Sequence, residues 1–402
     1  MKVAFVTHYD LHNKWRWSPH LIGHFGTSYY MAQSLKKHCD LEFIGPLADN
    51  YSLVSKVEYH THRLLNIKTY HAWAAPSINI NYAQQIAKNI LIIKPDIILC
   101  PHMNVIAYLQ CKQPIVLWTD SLYAGTMSTF PDGEPCQTSI RHLKTLDKLA
   151  LKNCKLIIFS SDWAAQLAIQ TYKEAESAFL ERFTEGTASR KLSAKIKVVP
   201  TGANLECNRT KNEIENIIKS KSSKVCKLLF CGVNWQRKGG DVALEVAKQL
   251  NNSGLLTELT ILGCQPLADE SLPDFVKVYG FVDRSIQEGQ KLVESLFTEN
   301  HFLVLPSKVD FTPGVLREAS SFGLPCISTN IGGIPTLIRD GYNGKTFEAD
   351  ASISEYCGYI TDLFANYSKY IALSLSSFQE YQSRLNWNAA GEATMRHLQS
   401  IL

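Results

Sequence analysis

Two carboxylates eight positions apart, Asp310 and Glu318, and a run of two cations followed by two glycines, Arg237-Lys238-Gly239-Gly240, are the residues whose types and spacing could do chemistry. Asp310 falls in a loop just before a helical pattern, and Glu318 falls in the first turns of that helix. A helix start carries roughly half a positive charge and several unpaired N–H groups, which suits an anion such as phosphate. A carboxylate beside it would repel phosphate and should face a neutral group, such as a sugar hydroxyl. The basic run also follows a strand and precedes a helix. There two side-chain cations and backbone N–H groups can meet one anionic group. The plain alternative is that the pair is a loop cap and a solvated helix face, and that the basic run is a solvated loop.

The elements that position these residues alternate. Phe302 to Leu305 is a short apolar strand closed by Pro306-Ser307, and the loop 308–313 follows. Val315, Leu316, Ala319 and Phe322 then recur at helical spacing, Gly323-Leu324-Pro325 stops the helix, and Cys326 to Thr329 is the next strand. Strand, loop, helix, strand builds a parallel sheet. Upstream, 227–232 is a strand, 233–240 (VNWQRKGG) a loop, and Asp241 onward a helix; strands follow at 259–263 and 276–281, with a helix reaching Phe297.

The first half shows the same alternation less cleanly. Residues 2–7 are a strand. A long loop from His8 to Gly26 follows, holding Tyr9, Trp15, Trp17 and Phe25 with His8, His12, His20 and His24, and a helix then begins near Thr27-Ser28. So many large aromatics in a polar loop point to contact with an acceptor or a membrane surface, unless the loop is ordinary surface. Strands are expected at 41–45, 96–100, 114–118 and 156–161, with Ser161 or Asp162 capping a helix from Trp163 to Tyr172. Ligands of open α/β sheets sit outside the carboxyl ends of strands, which puts His8, His102 and Asp120 in candidate positions. Residues 46–95 read as mixed and carry a His60-Thr61-His62 pair without a third metal ligand. Residues 173–194 carry no assignable pattern. The Lys- and Ser-rich stretch 208–225 reads as a linker or an exposed segment, and the domain boundary should fall near 200–225. The tail from about 352 reads as helical.

Length and composition bound the rest. With 402 residues, two or three domains are expected. A hydrophobic content of 45% and a charged content of 19% suit a globular chain with large cores. A formal net charge of +4 argues against a nucleic-acid protein held by a strong basic field. The eleven Cys form no CxxC pair, which favours a reducing, cytoplasmic setting, with peripheral membrane association left open. The N-terminus lacks a signal-peptide core, and no apolar run approaches the roughly 18 residues that would cross a bilayer.

The stretch Asp310, seven residues, Glu318, Gly323-Leu324-Pro325, Gly332-Gly333 and Ile338 to Gly344 resembles the retaining glycosyltransferases of family four, which have the GT-B fold. Val198 to Asn204 resembles that family's entry to its second domain, and Leu385-Asn386-Trp387 the start of its last helix. The resemblance is specific over most of 196–350 and rests on pattern alone over 1–195. It implies an α/β chain of two Rossmann-like domains facing each other across a deep cleft: 1–200 for the acceptor, 201–380 for a nucleotide-sugar donor, and 381–402 as a C-terminal helix returning to the first domain. It implies transfer of a hexose with retained configuration. Asp310 would hold the donor sugar and Glu318 the ribose. Arg237, Lys238 and the backbone of Gly314, Val315 and Leu316 would hold the diphosphate, and Phe281 would lie along the base. Gly26 would stand in the turn that approaches the diphosphate, and Asp120 beside the reacting centre. Asp310, Lys238 and Asp120 are thus the catalytic candidates.

Four positions depart from the pattern: Asp310 stands for Glu, Thr119 for His, Val233 for Arg and Asn204 for Asp. Arg237 would therefore supply the second cation. No Asp-x-Asp occurs, so neither a catalytic metal nor another cofactor is expected. Competing expectations are an epimerase or phosphorylase of the same fold, and a non-catalytic sugar-nucleotide-binding protein. A dinucleotide oxidoreductase is weaker, because no GxGxxG follows a strand.

Overall fold

The computed structural model describes residues 1–12, 22–65, 67–123, 125–127, 134–180, 192–266 and 271–402. It divides into two units. The first comprises Met1–Arg16, His24–Val199 and Gly391–Leu402, and the second Trp17–Gly23 and Pro200–Ala390.

Each unit is built on a six-stranded, all-parallel sheet. The first contains β1 (Lys2–Val6), β2 (Asp40–Ile44), β3 (Ile97–Cys100), β4 (Ile115–Thr119), β5 (Leu156–Phe159) and β6 (Ile196–Val198), in the order β2-β1-β3-β4-β5-β6. The second contains β7 (Cys226–Cys231), β8 (Thr257–Leu262), β9 (Val276–Gly280), β10 (Phe302–Leu305), β11 (Cys326–Thr329) and β12 (Gly344–Phe347), in the order β12-β11-β10-β7-β8-β9. Strands such as Ile97-Ile98-Leu99-Cys100 and Phe302-Leu303-Val304-Leu305 are buried along their whole length. Continuous apolar runs of this kind belong to sheets covered on both faces. Both sheets therefore have the Rossmann-like architecture expected from the alternation.

The strand order fixes where each sheet can hold a ligand. In the second sheet the chain runs outward from β7 to β9 and returns on the other side of β7 as β10. In the first it leaves β1 for β2 and returns on the other side as β3. Crevices open at such reversals, outside the carboxyl ends of the strands. The two candidate regions are thus the ends of β7 and β10, and the ends of β1 and β3.

Several local expectations are corrected. The stretch 208–225 is not a linker. Lys211–Ser220 is a helix with a complete capping box, Thr210 with Glu213, and it buries Ile214 and Ile218. The Lys and Ser content masked a helical apolar stripe and a start signal four residues long. Just beyond, Lys221 is buried and its Nζ donates to the Asn300 carbonyl at 2.6 Å. Within 46–95 lie the α-helices Leu53–Leu64 and Pro76–Ile93, with a short 3-10 turn at Ala72–Ala74 between them. The first helix of the chain spans Ile22–Lys36, so Gly26 lies inside it and is buried, rather than in a turn before it. A helical glycine costs about 1 kcal/mol relative to alanine, which tertiary packing overrides here. The helix after β5 extends from Asp162 to Leu180, and the Ala164 N–H donates to Ser161 Oγ at 3.2 Å, the cap expected. Of the aromatic loop, Trp15, Trp17 and His20 lie outside the described residues, as do the side chain of His24 and residues 181–191 of the unassigned stretch.

Candidate active site

The stretch 233–240, read as a loop, contains one helical turn, Trp235–Lys238. Asn234 caps it, accepting the Arg237 N–H at 2.8 Å. Trp235 is buried on Phe230, with ring centroids 5.3 Å apart, and its Nε1 donates to Asp241 at 2.5 Å. Gly239 ends the turn at φ 75°, and a Cβ there would lie 1.9 Å from the Pro306 carbonyl oxygen. Only glycine allows that approach between the chain leaving β7 and the chain leaving β10. Gly232 does the same for a side chain: a Cβ there would stand 2.9 Å from Lys238 Cγ. The turn thus folds Lys238 back over the end of β7, where it is buried.

Lys238 Nζ donates to Asp310 Oδ2. Asp310 is itself buried. Its Oδ2 also accepts from Ser307 Oγ at 3.1 Å, and its Oδ1 accepts from the Phe311 N–H at 3.2 Å. Arg237 Nη1 lies 3.9 Å from Oδ1 and donates to the Val309 carbonyl at 3.1 Å. Removal from water pushes the Lys238 amine below its ordinary pKa, more than the Asp310 carboxylate raises it. The loop carrying Asp310 rests on the glycine pair. A Cβ on Gly332, at φ 50°, would meet the Asp310 carbonyl oxygen at 1.9 Å, and one on Gly333 would meet that of Phe311 at the same distance.

The helix Gly314–Ser320 begins directly after this loop. Its Arg317 is buried and ties the Gly202 carbonyl, at 3.0 Å, to the Thr312 carbonyl, at 3.2 Å. Glu318 is buried and accepts from Arg284 Nη1 at 2.9 Å. Cys231, the last residue of β7, connects the two ion pairs. Burial lifts its thiol to about 12; the field of Glu318 adds to this, while Arg284 and Lys238 oppose it. Lys238–Asp310 and Glu318–Arg284 therefore stand around one strand end, at the reversal between β7 and β10. Phe281, just past β9, is 44% exposed. Arg284 was missed by the sequence reading. It sits in a polar run between a strand and a helix, with no motif around it.

In the first unit, the reversal between β1 and β3 brings His8 and Tyr9 to His102, with ring centroids 4.8 and 5.2 Å apart. Phe25 stands edge-on to Tyr9 at 4.4 Å. Burial, then Asp49 and Tyr51, lift the Tyr9 hydroxyl to about 12. Of the strand-end residues singled out in the sequence, His8 and His102 are thus brought together. Asp120 follows β4 directly and is exposed, and no contact joins it to them among the described residues.

This geometry can be set beside known proteins. Residues 226–366, which hold Lys238, Asp310, Glu318 and Arg284, match the model of the family described as glycosyl transferases group 1. An Escherichia coli UDP-Gal:alpha-D-GlcNAc-diphosphoundecaprenol alpha-1,3-galactosyltransferase is 23% identical over 54% of this chain and 57% of its own. The chain spans about half the length of the first curated relatives it matches, 40% of one and 57% of the next. Sucrose-phosphate synthase from Thermosynechococcus elongatus superposes at TM-score 0.63, with 14% identity over 100% of this chain and 98% of that one. Anabaena HepE, solved in complex with UDP, superposes at 0.62 with 14% identity over the whole of both chains. The fold is the GT-B fold of glycosyltransferases, with two Rossmann-like sheets.

Proposed function

We propose that this chain is a retaining glycosyltransferase of the family-four type, moving a hexose from a nucleotide-diphosphate sugar to an acceptor without a metal. The observation that carries the reading is the buried Lys238–Asp310 pair, with Arg237 beside it, at the strand-order reversal of the segment that matches the group 1 family. A lysine ammonium has three donors. One goes to Asp310, and the others can meet a diphosphate held against the backbone of Gly314, Val315 and Leu316. Glu318, oriented by Arg284, takes the ribose hydroxyls, and Phe281 lies along the base. The UDP held by HepE supports a nucleoside diphosphate as the leaving group.

In the reaction, the bond from the anomeric carbon to the diphosphate oxygen breaks, and a bond to the acceptor oxygen forms on the same face of the sugar. The acceptor proton passes to the departing diphosphate. Negative charge grows on that group as the bond breaks, so fixed cations lower the barrier more than they tighten ground-state binding. Asp310 holds Lys238 in place and accepts from a sugar hydroxyl through the remaining lone pair of Oδ1. Asp120 serves the acceptor side. Gly26 is not assigned a role, because it lies within a helix.

A thermal-shift series with UDP, GDP and ADP tests the reading. A diphosphate at a hundred times its Kd should stabilise by about 2.7 kcal/mol. Lys238→Ala should remove that shift and most transfer while the fold persists, and EDTA should leave transfer unchanged. No response to any nucleoside diphosphate, or full transfer by Lys238→Ala, would refute it.

A further inference from the structure

One guanidinium of the second unit stands between the loop of Asp310 and the segment 200–204. Arg317 sits in the first turn of the helix Gly314–Ser320, with only 2% of its surface exposed. Taking a charge out of water is costly unless its hydrogen-bonding groups are answered. Arg317 Nε donates to the Gly202 carbonyl at 3.0 Å, and its Nη1 to the Thr312 carbonyl at 3.2 Å. Its Nη2 lies under the start of its own helix, 3.6 Å from where a Cβ on Gly314 would stand. The guanidinium is a planar fork, so two carbonyls bound to two of its nitrogens are held at a fixed separation. Thr312 is two residues past Asp310, in the turn that leads into Gly314. Gly202 is 115 residues from Arg317 in the chain.

The far end of this link is crowded. A Cβ on Gly202 would stand 2.3 Å from the Trp387 nitrogen and 2.5 Å from its ring, so only glycine lets the two segments approach. The Ala203 N–H donates to the Leu385 carbonyl at 3.1 Å, and Trp387 Nε1 donates to Asn204 Oδ1 at 3.3 Å. The main stretch of the second unit runs from Pro200 to Ala390, so these paired segments are its two ends. Arg317 therefore joins the Asp310 loop to the place where both ends of the unit are bound together. A close-packed interior transmits strain, so a shift at one end of the link is felt at the other.

We propose that Arg317 is a positioning residue of the donor site: it sets the Asp310 loop on the paired segments 200–204 and 385–387, and carries to them the ordering that a bound diphosphate imposes at Gly314. The diphosphate rests on the transferase reading, and the link rests on the hydrogen bonds alone. Arg317 touches no substrate atom in this role. It acts through the Thr312 carbonyl and the backbone of its own helix.

Hydrogen exchange on the full chain tests this with Arg317→Lys and Arg317→Met. Lysine keeps the charge but brings one nitrogen, so it cannot span both carbonyls, and methionine brings none. In the free protein both variants should raise exchange in 200–206 and in 310–316 by about ten-fold or more, from the usual worth of a hydrogen bond to a charged donor. The strand Val276–Gly280 should keep its wild-type protection, which separates a lost link from lost folding. Saturating UDP, or GDP or ADP where that is the diphosphate that shifts the wild type, should slow exchange in both segments of the wild type. In Arg317→Lys it should slow 310–316 alone. A purely structural arginine would raise both rates without uncoupling them. Wild-type exchange in Arg317→Lys would show that charge alone matters and overturn the proposal. So would diphosphate protection of 200–206 that survives in the variant, or a rise confined to one segment. If Arg317→Met does not fold, Arg317→Lys decides. If no nucleoside diphosphate binds the wild type, the transferase reading falls and the donor-site role with it, while exchange in the free proteins still shows whether the link exists.

Discussion

Asp310→Asn tests the central pair with little change of shape. It leaves Lys238 buried with no other hydrogen-bond partner among the described residues. Breaking a buried ion pair from one side typically costs about 3–5 kcal/mol. An independent bound comes from titration. Bringing an ordinary amine, with a pKa of about 10.4, to neutrality at pH 7 costs roughly 5 kcal/mol at 1.36 kcal/mol per unit. The variant therefore meets its burial problem by releasing the Lys238 proton. Its unfolded state then binds more protons than its native state, so its stability relative to wild type should rise with pH between 7 and 10, by at most about 1.4 kcal/mol per unit. Lys238→Met should cost less, about 1–3 kcal/mol, because Ser307 Oγ and the Phe311 N–H still hold the Asp310 carboxylate. The double variant should be less damaged than the sum, by about 2 kcal/mol. Urea unfolding of the second unit, resolved from the first by separate probes, at pH 7 and pH 9 reads all four proteins. A flat pH dependence for Asp310→Asn, with a loss under about 1 kcal/mol, would show that Lys238 is not held in a dry site and would remove the basis for its role.

Two further outcomes follow from the same unit. His301 is buried, accepts the Lys227 N–H at 3.0 Å through Nδ1, and titrates at about 3, held down by burial first and then by Lys221. Its native pKa lies below the unfolded value, so the stability it contributes is present above about 6.5 and is lost as pH falls toward 3, by roughly 2 kcal/mol at pH 5. His301→Asn should flatten the change in urea midpoint between pH 7 and pH 5, and an unchanged slope would contradict this. Gly332→Ala should displace the loop bearing Asp310, since its Cβ would meet the Asp310 carbonyl oxygen at 1.9 Å. The expected result is loss of the nucleoside-diphosphate thermal shift with the far-UV circular dichroism retained, and a normal shift would show that the loop tolerates the residue.

The sequence by itself determined the alternation of strands and helices in both halves, because buried parallel strands are continuous apolar runs and need no partner to be recognised. It also determined which short stretches carry Lys238, Asp310 and Glu318, because glycine and proline mark the turns around them. It did not reveal the helix Lys211–Ser220, whose apolar stripe is interleaved with lysines. Only the tertiary structure decided that Lys238 and Asp310, 72 residues apart, form a buried pair, and that Arg284 answers Glu318. The first partnership depends on strand order: the return of β10 to the far side of β7 sets the loops of Lys238 and Asp310 side by side. The second joins the segment after β9, at the sheet's edge, to the helix after β10. Pairings between segments so far apart in the chain leave no trace in local spacing.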